Sequence, residues 1–271
     1  MNNTSVRIIV SVFAIPLILA ACYFGRIYFF FFTLAVALIS FYEFYMLAKK
    51  KGANVNFYVG VFAILFLMFN GYLHLFDSYS FLLIVVVATS LIELFRNNGS
   101  AIINISTTLL GIFYIGLFSV ALLDIREFYP YIDDLYLRGG FLIISILVSI
   151  WICDSAAYFA GLSLGKHKLF PRVSPKKSWE GAIFGFVFAI LTMIIAHFLV
   201  LHFLPFTHAI ILGIIIGIVG QIGDLIESLL KRDAQVKDSS SLIPGHGGVF
   251  DRFDSLLFSA PVILLYLRYF T

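Results

Sequence analysis

Apolar residues fill this chain in blocks of roughly 16 to 23, divided by short polar breaks, on the scale of the ~20 residues a membrane-spanning helix needs. That ruler predicts helices at roughly 6–24, 27–47, 57–76, 79–95, 101–123, 140–162, 181–203, 208–230 and 255–270. Gly25 and Arg26 alone separate the first two, and the second half of the eighth, QIGDLIESLLKR, is polar. Barrel strands would instead alternate over about 10 residues, and the runs here are continuous. The pattern predicts an all-α fold, a polytopic transmembrane helical bundle of about nine spans. It reads as one integral membrane domain over 1–271, with N-terminal helices in 1–139 and the chemistry-bearing helices and loops in 140–271.

Composition narrows the picture. The 271 residues are 61% hydrophobic and 12% charged, with mean hydropathy +1.02. Soluble domains run at about 45–50% apolar and about 25% charged, so a soluble globule is excluded, and so is a disordered chain. The net charge is +3 and no Lys/Arg-rich tract suggests nucleic acid. Cys22 and Cys153 both sit inside apolar runs, leaving no disulfide framework or zinc knuckle. Leu19-Ala20-Ala21-Cys22, after Arg7 and an apolar stretch, looks like a lipoprotein processing box. A first spanning helix is the expected reading, because a signal peptide normally delivers a soluble domain and none follows.

Charge also predicts orientation. With the amino terminus on one side, fourteen of the 18 Lys and Arg fall on that side and four on the other, which makes the amino-terminal side cytoplasmic. Two long polar segments then share the cytoplasmic face: 154–181, DSAAYFAGLSLGKHKLFPRVSPKKSWEG, and 221–254, QIGDLIESLLKRDAQVKDSSSLIPGHGGVFDRFD.

Neither segment contains a complete chemistry alone. Gln221, Asp224, Glu227, Ser228 and Lys231 recur at three- and four-residue steps and line one helical face. Asp224 is costly in an apolar span, which argues for a function, although an internal ion pair such as Glu227 with Lys231 competes. Downstream, Gly245, Gly247 and Gly248 allow backbone to approach a ligand closely. Asp251 and Asp254, at the start of the last helix, could share a metal or cap that helix. Lys176, Lys177, Lys231, Arg232, Lys237 and Arg252 add positive charge. Carboxylates, cations and Gly-rich backbone together read as a phosphate-transfer site holding Mg²⁺ or a similar hard cation. Gly161–Lys166 lacks the spacing of a P-loop, and no GxSxG elbow or HExxH pair occurs. Glu43 and Glu93, near the ends of their spans, receive no role. A transporter, motivated by intramembrane Asp154 and Asp224, is the competing class.

These segments resemble the phosphatidate cytidylyltransferase (CDP-diacylglycerol synthase) family. Its C-terminal signature is matched by Ser228-Leu-Leu-Lys231-Arg232, Lys237-Asp238 and His246-Gly247-Gly248-Val-Phe-Asp251-Arg252-Phe-Asp254. Upstream elements are matched by Asp154-Ser155-Ala-Ala157-Tyr158, by Ser174-Pro175-Lys176-Lys177-Ser178-Trp-Glu180-Gly181 and by Gly220-Gln221-Ile-Gly223-Asp224. The resemblance covers the second half of the chain at motif level. It implies transfer of CMP from CTP to phosphatidate, giving CDP-diacylglycerol and pyrophosphate, by a Mg²⁺-dependent homodimer of the bacterial inner membrane. It also implies roles: Asp224, Asp251, Lys237 and Arg252 in catalysis, and Asp224, Asp251 and Asp254 on metal. Ser174, Lys176, Lys177, Ser178, Glu227, Lys231, Arg232, His246, Gly247 and Gly248 would contact substrate. A related transfer onto an isoprenoid phosphate is the alternative within this chemistry.

Overall fold

The computed structural model describes residues 3–243, Gly245 and 247–271. Every predicted apolar block is helical: α1 (Asn3–Phe24), α2 (Arg26–Lys50), α3 (Phe57–Leu73), α4 (Ser78–Arg96), α5 (Ala101–Arg126), α6 (Asp133–Leu164), α7 (Trp179–Leu199), α8 (Phe206–Asp233) and α9 (Phe250–Phe270). Among the described residues seven of these, α2 and α4 to α9, are long and apolar enough to cross a membrane; α1 and α3 offer shorter apolar stretches. Two boundaries depart from expectation. Helix α6 begins at Asp133 rather than near residue 140, and α9 begins at Phe250 rather than near residue 255.

Polar residues at the breaks start the helices. The side chains of Asn56, Asp77, Ser100 and Ser178 each accept a backbone N–H from the first turn of α3, α4, α5 and α7. The one strand pairing not foreseen is an antiparallel hairpin between α6 and α7, β1 (Lys168–Phe170) with β2 (Ser174–Ser178).

Phe29, Phe41, Ile115, Leu122, Ile143, Leu257 and Ile263 are fully buried and bring α2, α5, α6 and α9 together at the centre. Phe13, Phe95 and Leu199 are each more than two-thirds exposed. Large apolar side chains facing outward across the bundle suit hydrocarbon as the surrounding solvent. Small residues set the helix spacing near the polar segments. A side chain at Gly181 or Gly185 would strike backbone atoms of α6 at Ala157 and Cys153, and one at Gly213 or Gly217 would strike the backbone of α7 at Ile190 and Phe186. Glycines four apart let helix backbones approach closely within a membrane.

The two ends of the bundle differ in their polar contacts. At one end the α1–α2 turn is clamped by Arg126, wholly buried, which donates to the carbonyls of Cys22, Tyr23 and Tyr136 and lies over the Tyr136 ring. Gly25 sits there at φ 64°, and a Cβ would overlap the Tyr136 hydroxyl and the Arg126 guanidinium. Gly25→Ala is therefore expected to cost about 1–3 kcal/mol, from left-handed backbone strain plus displacement of the clamp. Thermal unfolding in detergent should show it as a lowered Tm; an unchanged Tm would refute the clamp. At the opposite end lie the hairpin, the end of α8 and the start of α9, where Lys51 pairs with Asp233 at 3.1 Å.

Candidate active site

The first polar segment is held by its own hairpin. Lys168 pairs with Ser178 and Phe170 with Ser174, and Trp179 N–H donates to the His167 carbonyl. This fixes Ser178 as the cap of α7 and aims Lys177 across the bundle, where its Nζ meets Asp224 Oδ2 at 2.5 Å. Lys176 points outward and is exposed, and Ser174 is half-buried at the start of β2.

Asp224 owes its position to a break in α8. Ile216–Gly220 forms a π turn, which adds residues to the turn and re-aims the helix face that follows. Gln221 anchors the junction by donating to the carbonyls of Ala182 and Gly217. The polar stripe beyond it turns inward as predicted: Glu227, Ser228 and Lys231 are all buried.

Lys231 is the hub of that stripe. Its Nζ lies 2.5 Å from Glu227 Oε2 and 2.6 Å from Asp251 Oδ1, so the anticipated four-residue ion pair forms and extends to a second carboxylate on α9. Asp251 Oδ2 accepts the backbone N–H groups of Ser239 and Gly248, at 2.9 and 2.7 Å. Asp251 thus folds the glycine loop back onto the helix that carries it. Gly247, at φ 84°, closes that loop through a bridge to Ile243.

The two polar segments meet. Besides Lys177 with Asp224, Arg232 Nε donates to the Val173 carbonyl in the hairpin turn. Asp154, on α6, is exposed yet lies within electrostatic reach of Asp224, Lys177 and Arg252, and Asp254 within reach of both Asp224 and Asp154. Three aspartates from α6, α8 and α9 are therefore electrostatic neighbours, with Lys177 and Arg252 beside Asp154. Lys237 and Arg232 are exposed. His246 lies outside the described residues.

Several expectations change. Asp254 does not cap α9: it lies inside the helix, buried, and Oδ1 accepts the next residue's N–H, from Ser255 at 2.6 Å. The start of α9 is satisfied by Glu43 of α2, whose carboxylate accepts the N–H groups of Val249 and Phe250 and the hydroxyls of Ser239 and Ser240. Glu43, given no role from the sequence, is 1% exposed. Glu93 is likewise buried, bonded to Arg96 and Asn104. The signal that marks Glu43 in the sequence is its charge within an apolar span, which is costly without partners.

Among the described residues no three His, Cys, Asp or Glu side chains form a ready-made metal cluster. The donor set nevertheless suits a hard divalent ion. Asp224 and Asp254 lie within electrostatic reach of one another, Lys177 is the cation paired with Asp224, and Asp251 Oδ1 is engaged by Lys231. Magnesium needs only one or two protein carboxylates when substrate phosphates complete its shell.

Comparison with known proteins identifies the family. The model of the cytidylyltransferase family matches residues 5–270. The chain is 40% identical over 162 residues to the phosphatidate cytidylyltransferase of Bacillus subtilis, covering 60% of this chain and 58% of that protein. It is 45% identical over 139 residues to that of Haemophilus influenzae, covering 48% of this chain and 46% of the relative. In both, the matched stretch spans only about half of the relative's length. With the phosphatidate cytidylyltransferase of Synechocystis it shares 34% identity over 282 residues, 95% of this chain and 94% of the relative. A match along the whole chain, with both polar segments in contact, leads to one conclusion: the chain belongs to the cytidylyltransferase family.

Proposed function

We propose that this chain transfers CMP from CTP to phosphatidate, releasing pyrophosphate and forming CDP-diacylglycerol. The observation that carries the reading is the contact between the two polar segments, where Lys177 of one reaches Asp224 of the other at one end of a membrane bundle. Such a site faces a water-soluble nucleotide and a lipid headgroup at once.

The chemistry needs two anions brought together. A phosphate oxygen of phosphatidate attacks the α-phosphorus of CTP, a new P–O bond forms, and the bond from that phosphorus to the β-phosphate bridging oxygen breaks. Two unit charges 4 Å apart repel by about 4 kcal/mol at an effective dielectric of 20, and each reactant carries several. Lys176, Lys177, Lys237, Arg232 and Arg252 offset that repulsion and hold the nucleophile in line with the leaving pyrophosphate. Ser174, Ser178, Gly247, Gly248 and His246 are the further residues assigned to substrate contact. Glu227 and Lys231 fix Asp251 from below. Asp224, Asp251 and Asp254, joined by Asp154, are the candidate Mg²⁺ ligands, and the ion would neutralise phosphate charge at the reacting centre. Phosphoryl-type transfer asks for positioning and electrostatics more than covalent participation, so no protein nucleophile is required. The resemblance extends the reading to a homodimer in a bacterial inner membrane, and the lopsided distribution of Lys and Arg supports a site on the cytoplasmic face.

The test is the purified chain in detergent with CTP, Mg²⁺ and phosphatidate. CDP-diacylglycerol and pyrophosphate should appear in equal amounts; no CTP consumption, or CTP hydrolysis without lipid product, would overturn the proposal. Excess chelator should lower the rate by at least about 100-fold and added Mg²⁺ should restore it, in line with several kcal/mol of charge stabilisation by a metal. Undiminished turnover in chelator would remove the metal from the account.

A further inference from the structure

We propose that Glu43 is a positioning residue: from the N-terminal half of the chain it holds the 239–250 loop in place and orients Asp251. The inference rests on reading that loop as part of the transferase site. Glu43 Oε1 accepts Ser240 Oγ at 2.5 Å and Val249 N–H at 3.0 Å. Its Oε2 accepts Phe250 N–H at 2.7 Å and lies 2.9 Å from Ser239 Oγ. All four donors come from a segment some 200 positions away along the chain, and none from α2 itself.

Three features make this more than satisfaction of a buried charge. Val249 and Phe250 carry N–H groups at the start of α9, which have no acceptor within the helix, and an anion there complements the positive end of the helix dipole. Ser239 Oγ is also 2.9 Å from Asp251 Oδ2, so one hydroxyl lies between the two carboxylates, and Ser239 N–H donates to the same Asp251 oxygen. A shift of Glu43 therefore passes to Asp251 through a single residue. Finally, a Cβ on Gly248 would collide with Ser239 Oγ and both oxygens of Glu43. The glycine that donates its N–H to Asp251 is the one whose missing side chain admits Glu43.

Glu43→Gln keeps the size but replaces one acceptor by a donor facing N–H groups. It should lower kcat for CDP-diacylglycerol formation by about 10²-fold, the scale on which small misplacements cost catalysis. KM for phosphatidate should stay within about twofold, as expected when transition-state interactions alone are lost. Glu43→Asp, which retains the charge, should recover part of the lost rate. Independently of activity, hydrogen exchange of the 239–250 amides should accelerate in Glu43→Gln while α2 and α6 keep their protection. Gly248→Ala provides a second route and should show the same loop-local opening with a similar loss of kcat. Wild-type kcat in either variant, unchanged exchange in the loop, or loss of protection spread evenly over the bundle would overturn the role. If the wild-type chain shows no transfer from CTP to phosphatidate, the functional reading fails, while the exchange experiment still judges whether Glu43 holds the loop.

Discussion

Asp224→Asn should reduce CDP-diacylglycerol formation by at least about 10³-fold, equivalent to about 4 kcal/mol of lost transition-state stabilisation. The substitution preserves shape and removes one charge from the cluster of Asp154, Asp224 and Asp254. It removes a candidate metal ligand and leaves Lys177 without its carboxylate partner. Asp224 is partly exposed, its side chain 33% accessible, so its contribution to the fold is small. The variant should accordingly unfold within a few degrees of wild type in detergent while losing turnover. A rate above about a tenth of wild type, a loss of under 1.4 kcal/mol, would show that Asp224 does not act at the reacting centre.

Lys231→Met should act on the fold first. The ammonium is the one cation placed between Glu227, whose side chain is wholly inaccessible, and Asp251, at 6%. Removing one partner of a buried ion pair costs about 3–5 kcal/mol, because the remaining charge is left without compensation. The variant should therefore accumulate poorly or show a markedly lowered Tm. Pairing it with Glu227→Gln removes one of the stranded charges and should return part of the stability. It should not return activity, since Asp251 still lacks the contact that orients it. Full stability in Lys231→Met, or full activity in the double variant, would contradict the hub assigned to Lys231.

The helical architecture was legible because run length alone decides it: each apolar block in the sequence is a helix in the structure. The inward stripe on α8 was legible for a similar reason, since Glu227 and Lys231 are four residues apart and helical geometry places them together. Contacts between distant segments were not. Nothing local pairs Lys177 with Asp224, or Glu43 with Val249; these depend on how α2, α7, α8 and α9 pack. The start of α9 lies earlier than expected because Asp251 and Asp254 look like a polar break, while the structure compensates Asp251 with Lys231 and loop amides and runs the helix through both. Asp254 was read as a possible cap from its residue type; the cap is supplied by Glu43, a residue on another helix, which single-segment reasoning does not reach.

The central claim is that residues from 154–181 and 221–254 form one site at one end of the bundle. Its most direct measurement is thiol cross-linking in a background of Cys22→Ala and Cys153→Ala, with cysteines placed at Val173 and Arg232, whose main chain and side chain touch across the two segments. A short thiol-to-thiol linker should join them within a single chain. Failure to link within one chain would contradict a shared site.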